Sequence, residues 1–214
     1  MEPVLTVAAR SVTVSGAATL LSASWSLPLA YLAATRPRLR PLAAAAEGLV
    51  GVPTVLVGLF LYFLLSRRGP LGGLGLLYTP TAIIIGEAVL VTPLLVAVSY
   101  RVISAAVSRY GELALALGAS DTEAMEIALR EAAPGLAAAL VMAFSRAVGE
   151  LGVALLVGGN IRGYTRTLTT AIALEVSMGE FEAAMRLGLV LVAIMVFVAA
   201  AARAARRLTG DEAG

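Results

Sequence analysis

Five stretches of this chain are each long and apolar enough to cross a bilayer: 11–34, 42–65, 80–100, 136–157 and 183–202. No other feature constrains the fold as much. A hydrocarbon core of about 30 Å takes about 20 mostly apolar residues as a helix. Inside it every backbone N–H and C=O must be satisfied within the protein, which leaves helices or a closed barrel. None of the five stretches alternates polar with apolar residues, so they read as helices and not as barrel strands. Composition agrees: the 214 residues are 59% hydrophobic and 14% charged, with mean hydropathy +0.91. A soluble domain is about half apolar and about a quarter charged. The expectation is an all-α membrane protein of about five transmembrane helices, with 1–214 forming one transmembrane domain.

What is missing removes several chemistries. There is no cysteine and no histidine. Disulfides, thiol nucleophiles, imidazole bases and Cys/His metal sites are therefore excluded, and no metal site or bound cofactor is expected. All 16 basic residues are arginine. No GxxxxGK[ST] loop exists and no lysine is available to complete one, so ATP hydrolysis in the usual way is not expected of this chain. HExxH and GxSxG are also absent, which disfavours an intramembrane hydrolase. A formal charge of +2 does not point to nucleic acid. Residues 1–10, MEPVLTVAAR, lack the basic start and apolar core of a cleavable signal peptide, so targeting is expected to fall to the first membrane helix.

Orientation follows from arginine. Five spans put 35–41, 101–135 and 203–214 on one side. These hold nine arginines: Arg36, Arg38, Arg40, Arg101, Arg109, Arg130, Arg203, Arg206 and Arg207. The other side holds five: Arg10, Arg67, Arg68, Arg162 and Arg166. The positive-inside rule places the richer side in the cytoplasm. The N-terminus of this multi-pass cell-membrane protein is then outside and its C-terminus cytoplasmic. Pro28, Pro53 and Pro93 interrupt three spans, and glycines 48, 51 and 58 line the second. Each such proline frees a backbone carbonyl that needs protein or water nearby, and small residues let helices approach closely. Together they suit a bundle with a path through it.

The loop 101–135 contains GELALALGASDTEAMEIALREAAPG at 111–135, which is polar enough to leave the membrane. Ser120-Asp121-Thr122-Glu123 is a capping box, in which Ser120 caps a helix and Glu123 reaches back to its N–H. Asp121 and Glu123 also sit where the helix dipole favours negative charge. Gly118 stands where a left-handed residue would end the preceding helix, and Pro134 is expected to bound the second helix. Leu113 and Leu117 share one face; Met125, Ala128 and Leu129 form a stripe on the other helix. So short a hairpin is not stable alone. One side is expected on its own membrane helices and the other on a cytoplasmic partner.

This segment resembles the cytoplasmic loop of importer-type ABC transporter permeases. That family's motif is Glu-Ala-Ala, three residues, then Gly. Glu112-Leu113-Ala114 stands for the first part, Gly118 falls at the right spacing, and Gly118-Ala119-Ser120 repeats a common form of the core. Where the family has Leu-Pro, this chain has Arg130-Glu131, followed by Pro134-Gly135-Leu136. The resemblance implies a type I importer permease fold whose hairpin is the coupling helix docking an ATPase. Glu112, Ala114, Leu117, Gly118, Ala119, Ser120 and Asp121 would make that contact. The stretches 53–81 and 144–182 are similar to tungstate importer permeases. Molybdate permeases share Gly149-Glu150-Leu151-Gly152 and Gly159-Asn160-Ile161, whereas the run from Thr165 to Ile172 favours the tungstate branch. The implied assembly has two ABC ATPase subunits carrying ATP and Mg, a second copy of this chain as homodimer partner, and an extracytoplasmic solute-binding protein. The lipid bilayer surrounds it and the cargo is an oxyanion.

Several polar residues are candidates for the path. Arg146 and Glu150 lie mid-span at i, i+4, where buried charge faces the bundle interior or water, and they read either as a gate or as a self-neutralising structural pair. Glu47 and Glu87 are expected to be paired, protonated or at a helix interface. The outer segment 158–170, GGNIRGYTRTLTT, holds Asn160, Arg162, Thr165 and Arg166 and no acid. Glycine amides form anion-attracting concavities, and arginine chelates a tetrahedral oxyanion through paired N–H bonds. The segment reads as a cargo mouth, as a docking loop for a binding protein, or as both. Rival readings keep the permease but change the cargo to sulfate or methionine, or make the chain a channel or scaffold outside the ABC class.

Overall fold

The computed structural model describes residues 2–208, with side chains through residue 204. Met1, the 209–214 tail and the side chains of Arg206 and Arg207, which entered the orientation argument, lie outside the described residues. Regular structure among the described residues is helical. The helices are α1 (Val4–Thr35), α2 (Arg40–Leu49), α3 (Thr54–Leu65), α4 (Pro80–Ala106), α5 (Glu112–Ala116), α6 (Asp121–Val148), α7 (Gly152–Gly158), α8 (Leu168–Ser177) and α9 (Phe181–Leu208). Among the described residues four helices are long and apolar enough to cross a membrane, and α2 with α3 brings the number to five if they form one span.

Proline acts differently at different places. The apolar stretch 42–65 is not one helix: α2 ends at Leu49 and α3 starts at Thr54, with Pro53 at its N-cap. Proline disfavours the helical conformation at the residue before it, and here the break falls at that point, whereas α1 and α4 run through Pro28 and Pro93 without interruption, contrary to the expectation from sequence. Pro134 does the opposite of what the sequence suggests. It lies inside α6 and does not end it, so the second hairpin helix and the span that follows are one 28-residue helix. Packing carries the helix across. Ala128 and Ala132 before the proline and Leu136 after it join one cluster with Ile103 and Val102 of α4. At Gly135 an added Cβ would lie 2.6 Å from Val102 Cγ1. The stretch 136–157 is also divided, because α6 stops at Val148 and α7 begins at Gly152.

The chain forms two compact units. One comprises Met1–Ser22, Val52–Val91 and Phe144–Ala199. Its core joins Val14 of α1, Leu61 and Leu65 of α3, Ile83 of α4, and Val153 and Val157 of α7. A second cluster in it joins Val7 of α1, Leu168 and Ala171 of α8, and Leu187 of α9. The other unit comprises Ala23–Gly51, Thr92–Ala143 and Ala200–Gly214. Its core is built on Ala30, Ile103, Ala106, Ala128 and Ala132, and Ala46 packs with Val96 and Ala97. Lipid is as apolar as these side chains, so close packing of small residues stabilises the units more than removal of apolar surface does.

The contact between α3 and α7 shows the principle at one residue. A Cβ on Gly58 would stand 3.1 Å from Val153 Cα and 3.2 Å from the Gly152 carbonyl oxygen, both backbone atoms. Gly58→Leu should therefore push α7 away and destabilise the protein by about 1–3 kcal/mol. Gly48 in α2 has open space around it, so Gly48→Ala should be neutral or stabilising by up to about 1 kcal/mol. Thermal unfolding of the detergent-solubilised variants checks both; equal losses at the two positions would contradict the close-packing account.

Candidate functional site

The hairpin folds from local signals. The chain continues from α4 through a π-helical turn, Val107–Gly111, into α5. Gly118 has φ +93°, in the left-handed region. The Ala119 N–H donates to the Ala114 carbonyl at 3.0 Å and the Gly118 N–H to the Leu115 carbonyl at 3.0 Å, which is a Schellman closure of α5. The capping box forms as expected: the Ser120 N–H donates to Glu123 Oε2 at 2.8 Å, and the Glu123 N–H to Ser120 Oγ at 3.4 Å. Ala128 and Leu129 turn inward onto the α1–α4–α6 cluster, while Leu117 is 81% exposed and Leu113 and Ile127 are exposed as well. Of the residues singled out here, Ala114 is buried, Ala119 is half-buried, and Glu112, Leu117, Gly118, Ser120 and Asp121 are exposed.

The break between α6 and α7 centres on Glu150. This residue is outside both helices, yet it meets Arg146 across the last turn of α6, with Arg146 Nη1 donating to Glu150 Oε2 at 2.7 Å. Glu150 Oε1 accepts from the Val153 N–H at 3.2 Å and so caps α7, and the Glu150 carbonyl accepts from Thr169 Oγ1 at 2.7 Å. Glu150 is 3% exposed and the Arg146 side chain 40%. Glu87 of α4 is 1% exposed and is hydrogen-bonded to Ser15 of α1, while its Oε2 has no partner. Glu47 pairs with Arg101 at 2.9 Å, so the expectation of a partner holds there.

The loop 159–167 is closed on itself. Gly159 and Asn160 both take positive φ, at +71° and +50°. Thr165 is fully buried: its hydroxyl donates to the Gly158 carbonyl at 2.6 Å and accepts from the Ile161 N–H at 2.9 Å. It therefore sits in the loop's own interior and away from any surface. Asn160 and Arg166 are brought together, with Arg166 Nε donating to Asn160 Oδ1 at 3.0 Å, whereas Arg162 is exposed. Thr167 and Thr170 cap α8 reciprocally. Sequence reasoning missed the clasp that ties this loop to the N-terminal segment. Arg10 Nη2 donates to Glu2 Oε1 at 2.7 Å and Arg10 Nη1 to the Arg166 carbonyl at 2.8 Å. The Gly163 N–H donates to Glu2 Oε2 at 3.1 Å, and the Leu168 N–H to Ser11 Oγ at 2.7 Å. The three bonds that reach from the N-terminal segment to the loop join residues 156 to 161 apart, and no local pattern announces them.

The chain thus carries a set of long apolar helices, a capped exposed hairpin and a polar loop closed on itself. The chain matches the family described as binding-protein-dependent transport system inner membrane component over residues 26–209, and it belongs to that family. In this class the ATP is hydrolysed by a separate subunit and the solute comes from a binding protein, so this multi-pass chain is a transport subunit and not an enzyme. Among relatives, it is 42% identical to the tungstate uptake system permease protein TupB of Peptoclostridium acidaminophilum, covering 89% of this chain and 85% of that one. It is 37% identical to a probable anion ABC transporter permease protein of Haloferax volcanii, covering 91% and 87%. To the molybdenum transport system permease protein ModB of Azotobacter vinelandii it is 34% identical, covering 80% and 81%.

Two outcomes follow from this geometry. Glu150→Gln keeps an acceptor for the Val153 N–H but leaves Arg146 without its counter-ion. Stripping one partner from a fully buried pair costs about 3–5 kcal/mol, and the partial exposure of Arg146 lowers the expectation to about 1–3 kcal/mol. An Arg146→Met, Glu150→Gln double variant should recover part of the loss in thermal unfolding; additive losses would mean the two do not interact. At the clasp, the Arg10 hydrogen bond is the main cause holding the Glu2 carboxyl below its ordinary value of 4.5. Burial opposes this, and the Gly163 N–H and the charges of Arg10 and Arg166 add to the lowering. A depressed folded value means that the clasp stabilises the loop above pH 4.5 and is lost as pH falls below it. Amide exchange at Gly163 should therefore rise on acidification, and in Glu2→Gln it should be fast, by about tenfold, already at neutral pH.

Proposed function

We propose that this chain is the permease subunit of an ATP-driven importer that moves tungstate from an extracytoplasmic solute-binding protein across the cell membrane. The observation that carries the reading is the 42% identity to a tungstate uptake permease along 89% of the chain, higher than the 34% to a molybdenum permease. Molybdate is the nearest alternative cargo, being an oxyanion of similar size and charge. The assembly is a homodimer of this chain with two ATPase subunits, the N-terminus outside and the C-terminus cytoplasmic. Glu112, Leu117, Gly118, Ala119, Ser120 and Asp121 form the ATPase-coupling surface, with the buried Ala114 packed beneath them, a reading supported by the exposed apolar face at Leu113 and Leu117 on a capped hairpin. Asn160, Arg162, Thr165 and Arg166 form the outer mouth, with Thr165 acting through the loop's shape. Arg146 and Glu150 hold the α6–α7 break beside the path. Alternating access is then a rocking of the two permease halves biased by the ATPase.

The test is capture of the chain from its own membranes with identification of what accompanies it. An ATPase at equal stoichiometry and a tungstate-binding protein are the expected companions. Gly118→Arg forces a non-glycine residue into positive φ, at a local cost of about 1–3 kcal/mol, and projects a long side chain from the docking face. It should leave the membrane helices folded and abolish ATPase association. Retention of the ATPase by that variant would overturn the coupling assignment.

A further inference from the structure

Much of the backbone of the outer loop is already committed to internal hydrogen bonds. The N–H groups of Ile161 and Gly163 are taken by Thr165 and Glu2, and the first turn of α8 is closed by Thr167 and Thr170. The charged donors there are guanidinium groups. In the same compact unit a half-enclosed cavity of about 600 Å³ is lined by Arg162 and Arg166 from the loop and Arg186 from the start of α9. Among the described residues Arg162 and Arg186 make no ion pair and no hydrogen bond. Arg166 is held in place by Asn160 and, through its carbonyl, by Arg10. Three carboxylates also line the cavity: Glu2, which is engaged by Arg10 and Gly163, and Glu175 and Glu180, which have no ion-pair partner among the described residues.

We propose that this cavity is a weak receiving site for a free tetrahedral oxyanion, bound by Arg162, Arg166 and Arg186 together and kept loose by Glu175 and Glu180. The proposal rests on the oxyanion-permease reading. Guanidinium forks match the edges of a tetrahedral oxyanion, and Arg186, which sequence counted only as a span residue, supplies the third. Pockets of about 300–1,000 Å³ hold drug-sized ligands, so a five-atom ion fills little of this one and keeps much of its water. Incomplete dehydration and two nearby carboxylates both weaken binding, which suits a site that must pass its ion on.

The experiment is equilibrium dialysis of inorganic tungstate against the detergent-purified permease–ATPase complex without binding protein, with bound metal read by mass spectrometry. Saturable, salt-sensitive binding is expected. Arg186→Gln should weaken it about tenfold and Arg186→Lys less, because lysine keeps the charge but loses the fork. Glu180→Gln and Glu175→Gln should each tighten it about threefold, an opposite sign that a folding defect does not produce. Unchanged binding in Arg186→Gln overturns the proposal. So does a phospholipid that co-purifies with the native complex, is lost in Arg186→Gln and displaces tungstate, since the cavity would then hold a lipid headgroup. Uptake by cells separates the two levels. If cells lacking the chain still take up tungstate and molybdate while dialysis shows the site, the functional reading fails and the site stands. If uptake needs the chain but the arginine variants bind and transport normally, the site alone fails.

Discussion

A helix that breaks within a bilayer leaves backbone groups open where water is scarce, and each unmet group there costs several kcal/mol. Here Glu150 meets that demand at the α6–α7 break. One carboxylate oxygen caps α7, the other takes Arg146, and the carbonyl takes Thr169 at the start of α8. Charge, cap and tether are therefore one device. The Arg146 guanidinium offsets the cost of the buried carboxylate, the carboxylate satisfies an N–H in the first turn of α7, and the tether joins the break to the start of α8. The close approach of α3 at Gly58 lies directly on this corner, at Gly152 and Val153. Loosening Glu150 would loosen the packing that Gly58 permits.

A similar closure appears at the 159–167 loop, where threonine hydroxyls and most backbone N–H groups are used internally. Thr165, Thr167 and Thr170 would look, on composition alone, like ligands for an anion, but their hydroxyls close the loop and start α8. This leaves long arginine side chains as the charged chemistry, mounted on a backbone closed by its own hydrogen bonds. A charged group on a fixed mount binds with less ordering cost than one on a mobile loop.

Sequence revealed what is local. The left-handed Gly118 and the Ser120–Glu123 box depend on neighbours three to five residues apart, and both form as the pattern implies. The apolar spans were legible because membrane thickness sets their length. What failed was continuity. Pro53 stands at a helix start while Pro134 is absorbed in a helix, and nothing in either tripeptide distinguishes them. The difference is Ile103 and Val102 of α4, which hold α6 on both sides of Pro134. The Glu2–Arg10–Gly163 clasp was invisible for the same reason: its partners meet only after the spans are assembled.

The unpartnered Oε2 of Glu87 sharpens the contrast with Glu150. Two carboxyl groups are buried in one compact unit, and a single arginine, Arg146, answers one of them. The satisfied residue sits where a helix starts, with a backbone N–H and a guanidinium both pointing at it. The other sits mid-helix, where its own backbone is already paired and only Ser15 reaches it. Burial alone does not decide how well a carboxyl is held; the number of open donors around it does, and in a membrane helix those occur at breaks. In this chain the carboxyl at a break therefore acquires a defined geometry, while the one inside an unbroken helix keeps an oxygen without a partner.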